Sequence, residues 1–328
     1  MSAIEWTDVT WNPVTGCTKV SPGCKHCYAE RLAPRVFAGQ RVEQAIEDRD
    51  DSIVLGRPRR FTDVRVHPDR LDAPLRWRKP RRVFVNSMSD LFHEDVPAVF
   101  IAQVFMVMAV NGRHTFQILT KRPARARALL NGEEFVEYGL SLDDYVREAV
   151  RLAKTTETWP LPNVWLGVSV EDQQRADERV PILLDTPAAV RFVSCEPLLG
   201  PVDLGCYLHP LTVHCPRCNL SASSPALCPC GCHNRDRLDW IIAGGESGPG
   251  ARQMDLAWAR SLVAQGRAAG VPVFVKQLGA RPYEMVRDWR TGEDVRQDYV
   301  AAFHGKLDRK GGLPHEWPPD LRVRDWPA

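Results

Sequence analysis

Residues 11–39 read WNPVTGCTKVSPGCKHCYAERLAPRVFAG, and the fold follows from how this stretch is organised. Three cysteines, Cys17, Cys24 and Cys27, sit in a loop that runs straight into an amphipathic helical pattern. With a short strand before Cys17, the stretch is one strand–loop–helix unit. Three thiols are an awkward number, because a structural zinc site takes four ligands and a disulfide takes two. A four-iron cubane is normally held by four thiolates, so three from the protein leave one iron open to a small molecule. That is the expectation for Cys17, Cys24 and Cys27. The competing reading is a zinc knuckle of the same three cysteines with His26, in which Cys24, His26 and Cys27 are cramped for one tetrahedral ion.

Outward from the loop the chain alternates. Strand-like apolar runs appear at VRV (64–66), RRVFVNS (81–87), HTFQILT (114–120), NVWLGVS (163–169), RFVSC (191–195), LDWIIAGG (238–245) and VPVFVKQ (271–277). Helical patterns fill gaps between them, clearest at 97–111, 123–130, 172–184 and 254–269. Alternation of this kind gives βαβ units and a parallel sheet. With the strand before Cys17 the count is about eight, which predicts an α/β fold, a full or partial (β/α) barrel. In such barrels chemistry lies at the carboxyl ends of the strands. Those ends are polar here: NSMSD (86–90), TKRP (120–123), SVEDQ (169–173), SCEP (194–197), GGESG (244–248) and KQ (276–277).

Composition sets the surroundings. The chain has 328 residues, 44% hydrophobic and 26% charged, a globular balance with ample core. It has no apolar run of about 18 residues and no charged-then-apolar leader, so the expectation is a cytoplasmic protein with no membrane segment. Ten cysteines in a reducing compartment read as metal ligands or reactive thiols. The net charge of +2 does not by itself announce a nucleic-acid partner.

The second cysteine group, HCPRCNLSASSPALCPCGCH (214–233), has a different character. Cys215 and Cys218 form one Cys-x2-Cys pair, and Cys228, Cys230 and Cys232 supply a second set. The spacing suits a structural zinc in a short insertion, with a second iron–sulfur cluster as the rival. The expected segments are 1–204 (first part of the barrel), 205–237 (cysteine-rich metal-binding insertion), 238–280 (last strands and helix) and 281–328 (C-terminal extension).

The cysteine loop resembles the signature of the radical-SAM superfamily, Cys-x3-Cys-x2-Cys after the first barrel strand, with spacing Cys-x6-Cys-x2-Cys here and His26 at the usual aromatic position. The wider set GCTKVSPGCKHCYAE, VFVNSMSDLFHEDVP, FQILTKRP, WLGVSVE, FVSCEPLLGPV and WIIAGGESG is similar to the radical-SAM-like proteins often found in phages and prophages. The resemblance covers most of the chain. It implies a barrel of radical-SAM type, a 4Fe-4S cluster, S-adenosylmethionine, and an electron donor such as flavodoxin or ferredoxin. The implied chemistry is reductive cleavage of S-adenosylmethionine to a 5′-deoxyadenosyl radical.

Contacts to S-adenosylmethionine follow from its chemistry. Lys121 or Arg122 suits the carboxylate; Glu171, Asn86 and Asp90 suit the ribose hydroxyls, with helix capping as the other reading of Asp90; His26 and Tyr28 suit the adenine. Two basic stretches, GRPRR (56–60) and RWRKPRR (76–82), with Trp77 in the second, suit phosphates and bases. Cys195, at a strand end, is a candidate hydrogen donor to a product radical, its other reading being a small buried hydrophobe. Together these favour nucleic acid, DNA first, with reversal of a thymine lesion by analogy with spore photoproduct lyase. The alternatives are radical modification of a base, nucleotide or peptide, and a non-enzymatic zinc-binding adaptor.

Overall fold

The computed structural model describes residues 4–46, 53–132, 159–208, 237–299 and 310–327. Seven strands form one sheet: β1 (Val9–Trp11), β2 (Arg82–Val85), β3 (Thr115–Thr120), β4 (Val164–Ser169), β5 (Val190–Cys195), β6 (Trp240–Gly244) and β7 (Val273–Gln277). Their spatial order is their chain order, and every neighbouring pair is parallel. A singly wound parallel sheet places its crossover helices on one face. The sheet curls as a half-barrel whose edges are β1 and β7.

The strands read as unbroken apolar runs because both faces are covered. On β2, Val83 and Val85 belong to the core beneath the helices, whereas Phe84 belongs to a second cluster on the concave face. The same alternation puts Ile241, Ala243, Val273 and Val275 on the helix side and Trp240, Ile242 and Phe274 inside. Aromatic rings fill the concavity: Trp6 lies 4.7 Å from Phe84 between ring centres, and Phe192 lies 5.6 Å from Trp240. Gly167 on β4 makes room for this packing, since a Cβ there would come within 2.4 Å of the Phe192 ring.

Helix α1 (Tyr28–Val36) borders the carboxyl ends of the strands, with Tyr28 bonded to Ser87 and Arg31 to Ser247, and the helices on the outer face are α2 (Ala98–Ala109), α3 (Pro123–Leu130), α4 (Gln173–Leu184) and α5 (Leu256–Ala269). Asp172 caps α4 by accepting the Arg175 N–H at 3.0 Å, and Asp255 caps α5 by accepting that of Ala257 at 2.9 Å. Gly270 ends α5 in the left-handed conformation. The β7 edge is covered by the C-terminal segment: Val275 donates to Val323 and Asp325 to Val273, at 2.8 and 2.9 Å. A paired edge cannot template another chain.

The sequence expectation of about eight strands is corrected to seven in this sheet. The run VRV is not a member; Arg65–Val66 pairs instead with Val14–Thr15 as a separate antiparallel ladder. Three apolar letters within a loop are too few to distinguish a barrel strand from a local pairing. No helix among the described residues is long and apolar enough to cross a membrane. The cysteine-rich expectation, Cys215, Cys218, Cys228, Cys230 and Cys232, falls outside the described residues.

Candidate functional site

Beyond the carboxyl ends of the strands lie two adjoining cavities, of about 620 and 780 Å3, which share Cys27, Tyr28, Phe84, Leu119, Lys121 and Ser169 as walls. The smaller is the cysteine lobe, lined by Cys17, Cys24 and Cys27. The larger has an apolar side of Ile4, Trp6, Phe84 and Leu119, faced by polar residues from the last strands.

The cysteine loop is held by backbone geometry. Gly16 has φ +93°, and a Cβ there would lie 2.6 Å from the Asp63 carbonyl oxygen, so only glycine fits this approach. Its N–H donates to Met88, and the Cys17 N–H donates to Phe61 at 2.9 Å. Asn86, also left-handed at φ 62°, accepts the Val14 N–H through Oδ1 at 3.1 Å. Its Nδ2 is buried and has no partner, and the residue lines the cysteine lobe.

Arg122 reaches the same loop. Its Nη1 donates to Cys17 Sγ at 3.5 Å and its Nη2 to Thr18 Oγ1 at 2.8 Å, while Nε meets Glu94 at 2.7 Å. His93, almost wholly buried, holds the Thr18 hydroxyl from the other side at 2.8 Å. Burial pushes the Cys17 thiol up to about 11, assisted by the Asp90 charge and opposed by Arg122. Cys24 lies 3.8 Å from the Ser21 hydroxyl.

Asp90 is a hydrogen-bond hub that also lines the cysteine lobe. Oδ1 accepts from the Phe92 N–H and the Thr120 hydroxyl, and Oδ2 accepts from the Lys121 N–H. These bonds close a turn, since no helix begins at Asp90, and tie the end of β2 to that of β3. Lys121 Nζ donates to Ser169 Oγ at 2.9 Å and lines both lobes. Glu171 is fully buried; it accepts from Arg179 at 2.9 Å and from the Ser21 hydroxyl, so it is committed to anchoring the cysteine loop. Tyr28 donates its hydroxyl to the Ser87 carbonyl and stands between the lobes.

Two features of the larger lobe were not singled out from sequence. Glu246, of the GGE stretch, receives Arg252 through its N–H, Nε and Nη2, and meets His26 Nδ1 at 2.9 Å. Burial alone would raise the Glu246 carboxyl, but Arg252 and His26 hold it down at about 2. Glu196 pairs with Lys276 at 2.6 Å and accepts from Gln277 at 3.2 Å. The strand-end signals SCEP, GGESG and KQ mark these residues, but their pairing across the mouth is non-local.

Two expectations are corrected by placement. Cys195 is fully buried in the helix-side core, and its neighbours Ser194 and Glu196 line the mouth instead. Its thiol therefore sits on the wrong face of β5 to meet a radical there. The stretch 76–82 precedes β2 and so lies at the amino end of the sheet, opposite the mouth. Within it Arg76 pairs with Asp72, Arg82 pairs with Asp8, and Arg81 lies over Trp77. In 56–60, Arg57 is paired with Asp63, and buried Arg59 binds the Thr15 carbonyl. These arginines maintain the fold.

Among the described residues, no three His, Cys, Asp or Glu side chains converge closely enough to grip a single metal ion. Cys17, Cys24 and Cys27 share the smaller cavity. The molecule thus defines a class: a parallel α/β half-barrel with three thiols and two clamped carboxylates at the carboxyl ends of its strands. The chain belongs to the family described as protein of unknown function (DUF5131), whose model matches residues 1–301. No curated protein and no solved structure matches it.

Proposed function

We propose that this protein is a radical S-adenosylmethionine enzyme in which Cys17, Cys24 and Cys27 hold a 4Fe-4S cluster. The observation that carries the reading is the placement of all three thiols on one cavity at the sheet mouth, beside a second lobe with an apolar wall. When bound and reduced, such a cluster supplies the electron that splits S-adenosylmethionine into methionine and a 5′-deoxyadenosyl radical. Lys121, common to both lobes, is the cation for a carboxylate. Asn86 Nδ2 is a free donor beside the thiols. Trp6, Phe84 and Leu119 exclude water from the side where a radical needs to be protected. A small electron-transfer protein, flavodoxin or ferredoxin, is the proposed reductant.

The lesion-reversal reading drew on Cys195 and the two basic stretches; Cys195 and 76–82 do not face the mouth, whereas 56–60 adjoins the cysteine loop through Arg59 and Thr15. The substrate proposal is therefore radical modification of a base, a nucleotide or a peptide side chain that enters the larger lobe. A base within a duplex would have to be flipped out, at a cost of a few kcal/mol.

Anaerobically prepared protein should be brown, contain about four irons at this loop, and release 5′-deoxyadenosine from S-adenosylmethionine under dithionite. Joint replacement of Cys17, Cys24 and Cys27 by Ala should abolish both. Persistence of the iron–sulfur absorbance in that variant would overturn the assignment.

A further inference from the structure

Lys121 and Arg122 are adjacent cations at the end of β3, yet their side chains go to different places. Lys121 reaches Ser169, between the lobes. Arg122 turns onto the cysteine loop, its side chain only 8% exposed, with Nη1 on Cys17 Sγ and Nη2 on Thr18. All three guanidinium nitrogens are engaged, which leaves little of the fork for an incoming carboxylate.

Two carboxylates stand near Arg122, and their surroundings differ. Asp90 lies 3.5 Å away, but its oxygens already accept from Phe92, Thr120 and Lys121. Glu94 lies 2.7 Å away with its side chain 63% exposed, so water screens its charge only in part. The sulfur that Arg122 touches is that of half-buried Cys17. A hydrogen bond from a cation to a thiolate ligand stabilises the more negative, reduced form of an iron–sulfur group and raises its potential.

Resting on the cluster reading above, we infer that Arg122 is a positioning residue that fixes Cys17 and sets the reduction potential of the site, and that it does not bind the carboxylate of S-adenosylmethionine. Lys121 is left as the carboxylate cation.

The test uses full-length protein reconstituted anaerobically, with dithionite titration followed by electron paramagnetic resonance, and S-adenosylmethionine binding measured in parallel. Arg122→Gln should lower the reduced-to-oxidised ratio at a fixed poise roughly tenfold, which is about 59 mV for one electron. Its affinity for S-adenosylmethionine should stay within about twofold. Arg122→Lys, which keeps the charge and loses the fork, should fall between. Glu94→Gln changes an exposed side chain and should move the potential the opposite way, so the inference remains testable if Arg122→Gln folds poorly. A ligand affinity reduced roughly tenfold or more with an unmoved potential would identify Arg122 as a carboxylate clamp and overturn the inference. An unmoved potential in Arg122→Lys and Glu94→Gln would overturn it as well. Failure of the wild-type protein to hold iron would instead overturn the reading on which it rests.

Discussion

Replacing Glu246 by Gln removes the charge that joins the cysteine loop to the last strands. The carboxylate receives Arg252 at 2.6, 2.8 and 3.0 Å and His26 at 2.9 Å, and its side chain is 5% exposed. Its folded pKa is about 2, against an ordinary 4.5. At 1.36 kcal/mol for each unit, that depression is worth roughly 3 kcal/mol at neutral pH. Arg252 and His26 are each 26% exposed, so part of the effect is screened, and we expect Glu246→Gln to cost about 2–3 kcal/mol at pH 7. Because the folded carboxyl is depressed, its contribution is complete above about pH 4.5 and is lost as the pH falls towards 2. At pH 3 the gap between wild type and variant should therefore shrink to about 1 kcal/mol. Urea denaturation followed by tryptophan fluorescence at pH 7, 5 and 3 reads this directly. A gap that stays the same at all three values would refute the electrostatic account and assign the effect to shape alone.

Cys195→Ala should cost about 1 kcal/mol of stability by opening a small cavity in the helix-side core. Reductive cleavage of S-adenosylmethionine by that variant should match wild type, because the thiol does not face the mouth. Gly167→Ala should destabilise the protein by about 1–3 kcal/mol in the same denaturation assay, since the new methyl meets the Phe192 ring. We propose a structural zinc at 215–232: elemental analysis should give about one zinc per chain, lost when Cys215 and Cys218 are both replaced by Ser while the iron of the mouth is retained.

The strands were legible because a parallel sheet buried on both faces needs long apolar runs, and six of the seven runs read from sequence became members of it. The same property hid which way each strand faces. In RFVSC, Phe192 and Ser194 point inward and Val193 and Cys195 outward, but apolar residues occupy both sets, so period-two alternation gives no direction. The Asp90–Phe92 contact is local, but the bonds of Asp90 to Thr120 and Lys121 join the ends of two strands and are not. The His26–Glu246 contact joins residues 220 positions apart, and nothing local announces it. The cations of the basic stretches are conspicuous in sequence, whereas their partners Asp8, Asp63 and Asp72 become visible only once the turns are formed.

The cysteine loop owes its shape to the scaffold around it. Gly16 passes against the Asp63 carbonyl, Asn86 holds Val14, Glu171 holds Ser21, and Arg122 with His93 holds Thr18. Apart from Asp63, these anchors come from the ends of β2, β3 and β4 and from the segments that follow them, so the loop is held by the sheet. A zinc knuckle works the other way, gaining its shape from the metal that gathers its ligands. Of the mouth residues, Cys17 and Cys24 line only the smaller lobe, whereas Ile4 and Trp6 line only the larger. Substitutions on the two sides should therefore separate metal loading from turnover.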